Sequence, residues 1–248
     1  MQQKLNGLGM RLKSYAYGIA YWRNADFAIP GVLRINGKKK PVKFLEPANS
    51  GFMYEFTEIC LKDCYQLALL KKQLGAVNAI VDIGANQGLF AIAARQHFSK
   101  AAISCWEPNK ELREVLDINT AAAQAEVFYE AVTREDCKVT LRFGETDLHT
   151  IAQPGQTGEI PGTAFQEVIE RAGGSIDILK MDCEGGEWPI LEDKDSWTKV
   201  RAVTMEYHLW AKEGSSVDEL KQILNNLGFQ IIVHNPLNIE FGLITAVK

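Results

Sequence analysis

Two acidic residues and two glycines have the types and spacing of a site for a nucleoside. Asp82 lies at the end of an apolar run, and Gly84 and Gly88 follow it with Asn86 between them. Glycine leaves the backbone bare, so a ligand can lie against the N–H groups at the start of the next helix. Glu107 comes 19 residues after Gly88. An acid at that strand tip can accept hydrogen bonds from both ribose hydroxyls.

The spacing of the glycines separates two classes of cofactor. A dinucleotide fold requires glycine at the first, third and sixth positions after the strand. Here those positions hold Gly84, Asn86 and Leu89, so an NAD-linked oxidoreductase is the less favoured alternative. The pattern Asp-x-Gly-x-Asn-x-Gly instead resembles the nucleotide-binding loop of class I S-adenosylmethionine (SAM) methyltransferases, in which many members have glycine at the position of Asn86.

Five side chains able to exchange protons end two later apolar runs. Lys180, Asp182 and Glu184 alternate at the end of one run, and Glu206 and His208 end the next. Open α/β sheets bind ligands beyond the carboxyl ends of their strands, so these groups are expected on one rim. Because an imidazole titrates near neutrality, His208 is the leading candidate for a general base. A buried ammonium needs a carboxylate, so Lys180 is expected to pair with Glu206 or Glu184.

Other interpretations of this rim stay open. His208 could be a structural histidine that hydrogen-bonds to Glu206 or Asp182. These three residues and Glu184 could also hold a divalent ion that orients a substrate, although the sequence favours no resident metal. Five cysteines without paired spacing indicate reduced thiols, and no second pair completes a zinc site with the two that are close together.

Four segments together resemble the FkbM family of SAM-dependent methyltransferases. They are residues 82–88, residues 106–108, Asn119 and residues 178–187, of which the run Leu-Lys-x-Asp-x-Glu-Gly-x-Glu is the most specific. The resemblance implies a class I, Rossmann-like fold. It also implies O-methylation of a hydroxyl on a natural-product, sugar or lipid-like acceptor, with S-adenosylhomocysteine as product. Residues 1–70 match no pattern that would identify the acceptor.

The resemblance also implies roles for single residues. Asp82 and the backbone of Gly84 and Gly88 are expected to meet the methionine portion of the cofactor. Glu107 is expected at the ribose and Ala131 near the adenine. The expected cofactor-binding set is Asp82, Gly84, Ala85, Asn86, Gly88, Glu107, Pro108, Asn119, Ala131 and Asp182. The expected catalytic set is Asp182, Glu184, Glu206 and His208.

Strands and helices that must position these residues alternate from residue 77 onward. Strands are expected at 77–83, 101–106, 127–133, 176–182, 201–207, 229–234 and 239–247, with an extra antiparallel piece at 138–143. Helices are expected at 88–98, 109–122, 163–172, 186–192 and 216–227. This alternation predicts an α/β fold with a doubly wound, seven-stranded, mostly parallel sheet. The last two strands are joined by too few residues for a helical crossover, so they must form an antiparallel C-terminal hairpin.

The N-terminal region lacks this alternation. Residues 1–72 are expected to form a cap, helical with a β-hairpin, over a SAM-binding domain at 73–248. The expected cap elements are helices at 4–22 and 52–72 and a hairpin of strands 32–35 and 41–44 around Asn36-Gly37. Lysines 38–40 are interpreted as protecting the hairpin edge from aggregation, with contact to an acidic substrate, a partner or an anionic membrane as the alternative.

A loop and the overall composition complete the expectations. Residues 144–161 are expected to form a substrate-side lid, or otherwise a flexible insertion. A net charge of −4 gives no general reason to bind nucleic acid. No apolar run reaches the ~20 residues of a membrane span, so the sequence predicts a cytoplasmic protein. A small-molecule acceptor is expected as its partner, and the sequence does not indicate an oligomeric state. A non-enzymatic interaction protein with this fold is the second alternative.

Overall fold

The computed structural model describes residues 2–19, 29–46, 50–143, 150–155 and 158–248. Its α-helices are α1 Gln2–Ala16, α2 Ser50–Phe56, α3 Leu67–Leu74, α4 Leu89–His97, α5 Arg113–Ala123, α6 Phe165–Arg171, α7 Glu187–Leu191, α8 Lys194–Trp197 and α9 Val217–Asn226. Its strands are β1 Val32–Ile35, β2 Lys38–Pro41, β3 Ala79–Ile83, β4 Ala102–Trp106, β5 Glu126–Phe128, β6 Ala131–Thr133, β7 Cys137–Phe143, β8 Thr150–Gly155, β9 Ile160–Ala164, β10 Ile178–Met181, β11 Ala202–His208, β12 Gln230–Pro236 and β13 Phe241–Val247. Within the described ranges, every helix is too short or too polar to cross a lipid bilayer.

Seven strands form the central sheet, in the order β12-β13-β11-β10-β3-β4-β5. β13 runs antiparallel to both β11 and β12, and the other neighbours are parallel. This arrangement confirms the predicted doubly wound α/β sheet with an antiparallel C-terminal hairpin. Every residue of β10 is buried, because a central parallel strand is covered on both faces.

Helices and N-terminal residues cover the two faces of the sheet. α4 and α5 pack on one face, and α6 to α9 pack on the other. Phe56, Leu61 and Leu70 belong to the same apolar cluster as Phe90 and Ile92 of α4. The N-terminal region therefore shares a core with the sheet on the α4 side.

The predicted third strand is wrong in its extent. The run 127–133 is divided at residues 129–130 into β5, which ends the central sheet, and β6, which joins a second sheet of order β6-β9-β7-β8. β7 confirms the expected antiparallel piece near 138–143. The expected loop 144–161 contains β8 and the start of β9; residues 144–149 and 156–157 lie outside the described residues, so the lid hypothesis stays a prediction.

The N-terminal elements differ from the prediction in their boundaries. The second hairpin strand begins at Lys38, not at residue 41, because Asn36 (φ 51°) and Gly37 (φ 77°) form a two-residue turn that pairs Ile35 with Lys38. The predicted helix 52–72 is interrupted: a π-helical turn, Thr57–Lys62, follows α2, and residues 63–66 separate it from α3.

Candidate active site

A cavity of about 1320 Å³ opens at the carboxyl ends of β3, β4, β10 and β11. Gly84, Glu107, Asp182 and Glu206, which end or follow these four strands, all line it. The opposite wall comes from residues 51–65. Single-ligand pockets usually measure ~300–1,000 Å³, so this cavity has room for two ligands side by side.

The turn after β3 contributes backbone to the cavity, but its first N–H groups are already bonded. Gly84 and Ala85 both donate to the Trp106 carbonyl oxygen, at 2.9 and 3.1 Å. Asn86 donates to Glu107 Oε2 at 2.8 Å. These bonds extend the pairing of β3 with β4 beyond the strand ends. The predicted array of ligand-binding N–H groups is therefore wrong for these three residues.

Glycine is required at position 84 by a close approach of two chain segments. Its φ is 77°, and a Cβ there would lie 1.7 Å from the carbonyl oxygen of Asp182. The end of β10 can pass this close only because no side chain intervenes. Bare backbone consequently faces the cavity between the two strand ends.

Glu107 places a carboxylate on the cavity wall at the end of β4. The side chain is almost fully buried, and its two oxygens accept the N–H groups of Asn86 and Asn109, each at 2.8 Å. Burial raises the pKa of Glu107, and the two backbone donors oppose that shift. A carboxylate has about four acceptor positions, so two hydroxyls can still be bound. The free acceptor positions fit the two hydroxyls of a ribose.

Asp82 and Lys180 form a buried ion pair beneath the turn. Lys180 Nζ lies 3.1 Å from Asp82 Oδ1 and also donates to the carbonyl oxygens of Ile83 and Gly84. Burial alone would lower the pKa of Lys180, but the charges of Asp82 and Asp182 raise it. The expected pairing of Lys180 with Glu206 or Glu184 is wrong. Asp82 does not line the cavity, so its side chain supports the turn from behind.

Gly88 and Asn119 also lie behind the cavity wall. The fully buried Asn119 side chain donates to the carbonyl oxygens of Lys43 and Gln87 and accepts the Lys43 N–H at 3.0 Å. A Cβ on Gly88 would lie 3.3 Å from the Asn119 Cβ. Asn119 therefore fastens the turn to the chain after the hairpin, a contact that the sequence does not reveal.

The remaining expected cofactor residues lie on the cavity wall. They are Ala85, Asn86, Pro108 and Ala131. Trp106, which also lines the cavity, stacks on Phe128 with ring centroids 4.4 Å apart. Its buried indole N–H has no hydrogen-bond partner among the described residues. Trp106 belongs to the segment 106–108 of the family resemblance but not to the predicted cofactor-binding set.

The ends of β10 and β11 bring the expected acid–base residues together. Asp182, Glu184 and Glu206 line the cavity, whereas His208 is buried behind them. His208 Nε2 lies 3.6 Å from Glu184 Oε2 and 3.8 Å from Glu206 Oε1. Its Nδ1 lies 3.2 Å from an oxygen of Glu187.

Glu187 is a buried acid in contact with His208 that lies outside the predicted catalytic set. Its buried carboxylate accepts the N–H groups of Cys183 and Gly185, each at 2.9 Å, as well as contacting His208. The sequence feature that indicates a role for Glu187 is its position at the end of the segment 178–187, directly after two glycines. Glu187 fixes both the loop after β10 and the orientation of the imidazole.

Burial and neighbouring charges shift the titration of this cluster. Burial alone would lower the pKa of His208, but its hydrogen bond with Glu187 and nearby carboxylates raise the pKa to about 9. Burial and then the charge of Asp182 raise the pKa of Glu206 to about 8. In this arrangement His208 holds a proton at neutral pH. A protonated imidazole behind the cavity wall does not suit the general-base role expected of it.

The N-terminal segment supplies one wall of the cavity, and its residues Tyr65 and Glu55 lie outside the predicted site sets. The buried Tyr65 hydroxyl donates to Asp182 Oδ2 at 2.9 Å. Glu55 lines the cavity nearby, and burial, with the charge of Asp182, raises its pKa to about 7. The sequence predicts one continuous helix over residues 52–72. The chain instead turns at Asp63, whose φ is 61°.

Comparison with known proteins identifies relatives of this chain. The family model described as the methyltransferase FkbM domain matches residues 82–231. The methyltransferase sdnD of Sordaria araneosa is 26% identical over 224 residues, which cover 73% of this chain and 82% of that protein.

Solved structures of methyltransferases are also similar to this chain. Precorrin-6y C5,15-methyltransferase from Geobacter metallireducens GS-15 gives a TM-score of 0.42 at 14% identity, covering 73% of this chain and 87% of that one. Magnesium protoporphyrin IX methyltransferase from Synechocystis PCC 6803 gives 0.44 at 10% identity, covering 77% and 82%.

Proposed function

This chain belongs to the FkbM methyltransferase family, and we propose that it uses SAM to methylate a hydroxyl oxygen of a small-molecule, sugar or lipid-like acceptor. The observation that carries the proposal is one cavity with two chemically different ends. Glu107 and bare backbone at Gly84 occupy one end, and the Asp182, Glu184 and Glu206 carboxylates occupy the other. A cofactor and an acceptor could therefore lie next to each other.

The cofactor side of the proposal rests on the donor set of this chain. Glu107 would accept the ribose hydroxyls, Ala131 and Pro108 would flank the adenine, and the backbone near Gly84 would border the methionine portion. When bound, SAM supplies an activated methyl group on a sulfonium, so the protein does not itself have to activate the group transferred. The Asp82–Lys180 pair would keep the turn in the shape that this binding needs.

On the acceptor side, this chain must align a hydroxyl, exclude water and accept a proton. Alignment alone can contribute several kcal/mol to catalysis. Asp182, Glu184 and Glu206 are the acceptor-facing groups that could receive the hydroxyl proton. We assign His208 as a positioning residue that acts through Glu184 and Glu206, because its ring is buried behind them.

The same cavity supports a division of the chain into two parts. Residues 1–72 would form the cap that closes the acceptor side, and residues 73–248 would form the SAM-binding domain. Tyr65 supports this assignment because it reaches from the cap to Asp182.

Product analysis tests the proposed reaction. The purified protein, given SAM labelled in its methyl group, should transfer the label to the oxygen of a hydroxyl compound from a panel of polyols, sugars and hydroxylated lipids. Hydroxyl groups blocked beforehand should take up no label. Transfer only to nitrogen or carbon atoms would refute O-methylation, and nicotinamide binding without SAM binding would refute the choice of cofactor.

A further inference from the structure

We propose that Asp182, Glu184 and His208 bind a divalent transition-metal cation at the acceptor end of the cavity. The use of this cation in catalysis rests on the proposed function, but its binding does not. Nothing in the family match assigns a metal to these residues.

The geometry of the three side chains suits a single ion. One ligand atom from each of them can be chosen so that all three lie within 4.8 Å of one another. Oxygen ligands lie about 2.0 to 2.6 Å from divalent cations, so ligands on one ion are separated by at most roughly 5 Å. A cation between these three atoms would therefore need only small adjustments.

The setting of His208 provides an independent reason. Histidine ligands almost always donate their second ring N–H to a carboxylate or carbonyl, which fixes the tautomer and aims the other nitrogen at the metal. His208 has this partner in Glu187, which two backbone N–H groups hold in place. Its Nε2 points toward Glu184 and Glu206 at distances longer than a hydrogen bond.

The negative charges around the acceptor end also favour binding of a cation. Asp182, Glu184 and Glu206 face the same space, and the buried Lys180 beside them is held by Asp82. A divalent ion between these side chains would balance two of the carboxylate charges.

The ligand types select the class of metal. Carboxylate oxygens suit Mg²⁺, Ca²⁺ and Mn²⁺, whereas imidazole suits transition metals, so a site with both favours Mn²⁺ or a similar ion. Such a cation would hold an acceptor hydroxyl on the cavity wall and lower its pKa. The proton released from that hydroxyl would go to Glu206, the carboxylate on the same wall that is not a proposed ligand.

Titration of the full-length, chelator-treated protein with MnCl₂, followed by electron paramagnetic resonance, tests this site without SAM or acceptor. We expect one saturable site and at least roughly tenfold weaker binding in His208→Ala and in Glu184→Gln. His234→Ala and Glu111→Gln are matched controls, because neither residue lies in the cluster. Thermal unfolding would establish that each variant is folded.

Two results would overturn the inference. One is the absence of saturable Mn²⁺ binding in the folded wild-type protein. The other is equal affinity in wild type, His208→Ala and Glu184→Gln. The titration uses no cofactor, so the Mn²⁺ affinity can be interpreted even if the methyl-transfer assay fails. Methyl transfer at full rate by the metal-free protein would refute the role of the cation in catalysis but not its binding.

Discussion

Glu107 is the side chain that we propose to bind the ribose of the cofactor. It is buried, it already accepts two backbone N–H groups, and it keeps acceptor capacity toward the cavity. Its carboxylate would thus link the turn at Asn86 to the ribose. Substitution should act on the cofactor and on the turn together.

Glu107→Ala should weaken SAM binding by about 2 to 4 kcal/mol, because one to two hydrogen bonds to a charged group are lost. This corresponds to roughly 30- to 700-fold in Kd. Isothermal titration calorimetry measures the change. Glu111→Ala, an exposed acid in the same segment, is the control and should bind like wild type. Wild-type affinity in a folded Glu107→Ala protein would refute the assignment.

His208 should affect turnover far more than cofactor binding. Its ring contacts Glu184, Glu187 and Glu206 but does not line the cavity. His208→Ala is expected to lower kcat by at least about tenfold and to change the Kd of SAM by less than about threefold. Steady-state kinetics on an identified acceptor and calorimetry with SAM separate the two effects. An equal loss in both quantities would indicate a general structural role instead.

At the scale of elements, the backbones at the ends of β3 and β10 lie so close together that only glycine fits at position 84. The Cβ of any other residue at position 84 would overlap the Asp182 carbonyl oxygen. This contact brings Gly84 of the proposed cofactor end next to Asp182 of the proposed acceptor end. A substitution at position 84 should therefore affect both stability and ligand binding.

Gly84→Ala should destabilise the fold by about 3 to 5 kcal/mol, as overpacking adds to the cost of a positive φ. Gly174→Ala is the matched control: its φ is also positive, at 89°, but no atom lies within 4 Å of the added Cβ. The control should lose only about 1 to 2 kcal/mol. Urea unfolding gives both values, and equal losses would show that backbone conformation alone matters.

Asp177 joins three elements at the opposite end of the sheet. Its carboxylate accepts the N–H groups of Asn78 and Ala79 and a hydrogen bond from Arg201. Burial alone would raise the pKa of Asp177, but these donors lower it. A lowered folded pKa stabilises the protein above the unfolded value of about 3.9, and this contribution is lost as the pH falls below it.

Asp177→Asn should therefore cost about 1 to 3 kcal/mol at pH 7 and progressively less below about pH 4. Chemical denaturation of both proteins between pH 7 and pH 2.5 measures the difference. A difference that stays constant over this range would contradict the charge-based explanation.

At the scale of the whole molecule, the sequence predicts the central sheet but only part of the cavity. Long apolar runs and the short final connection determine the seven strands and the terminal hairpin. The Asp82–Lys180 pair does not follow, because it depends on the register in which these two residues lie side by side on β3 and β10. No local pattern specifies that register.

The N-terminal region is the other part that the sequence does not determine. Its π-helical turn and the left-handed residues Asp63 and Gln66 interrupt the predicted helix 52–72, so the position of the Tyr65 hydroxyl does not follow from helical periodicity. Only the packing of this segment against α4 brings the Tyr65 hydroxyl to Asp182. Residues from distant parts of the chain thus complete the acceptor end.

The most direct test of the whole account is a crystal structure with S-adenosylhomocysteine, supported by calorimetry of SAM binding. We predict one site per chain, with the ribose on Glu107 and the sulfur facing Asp182 across the cavity. Saturating SAM that gives no heat of binding, or a nucleoside found away from the ends of β3 and β4, would contradict the central claim.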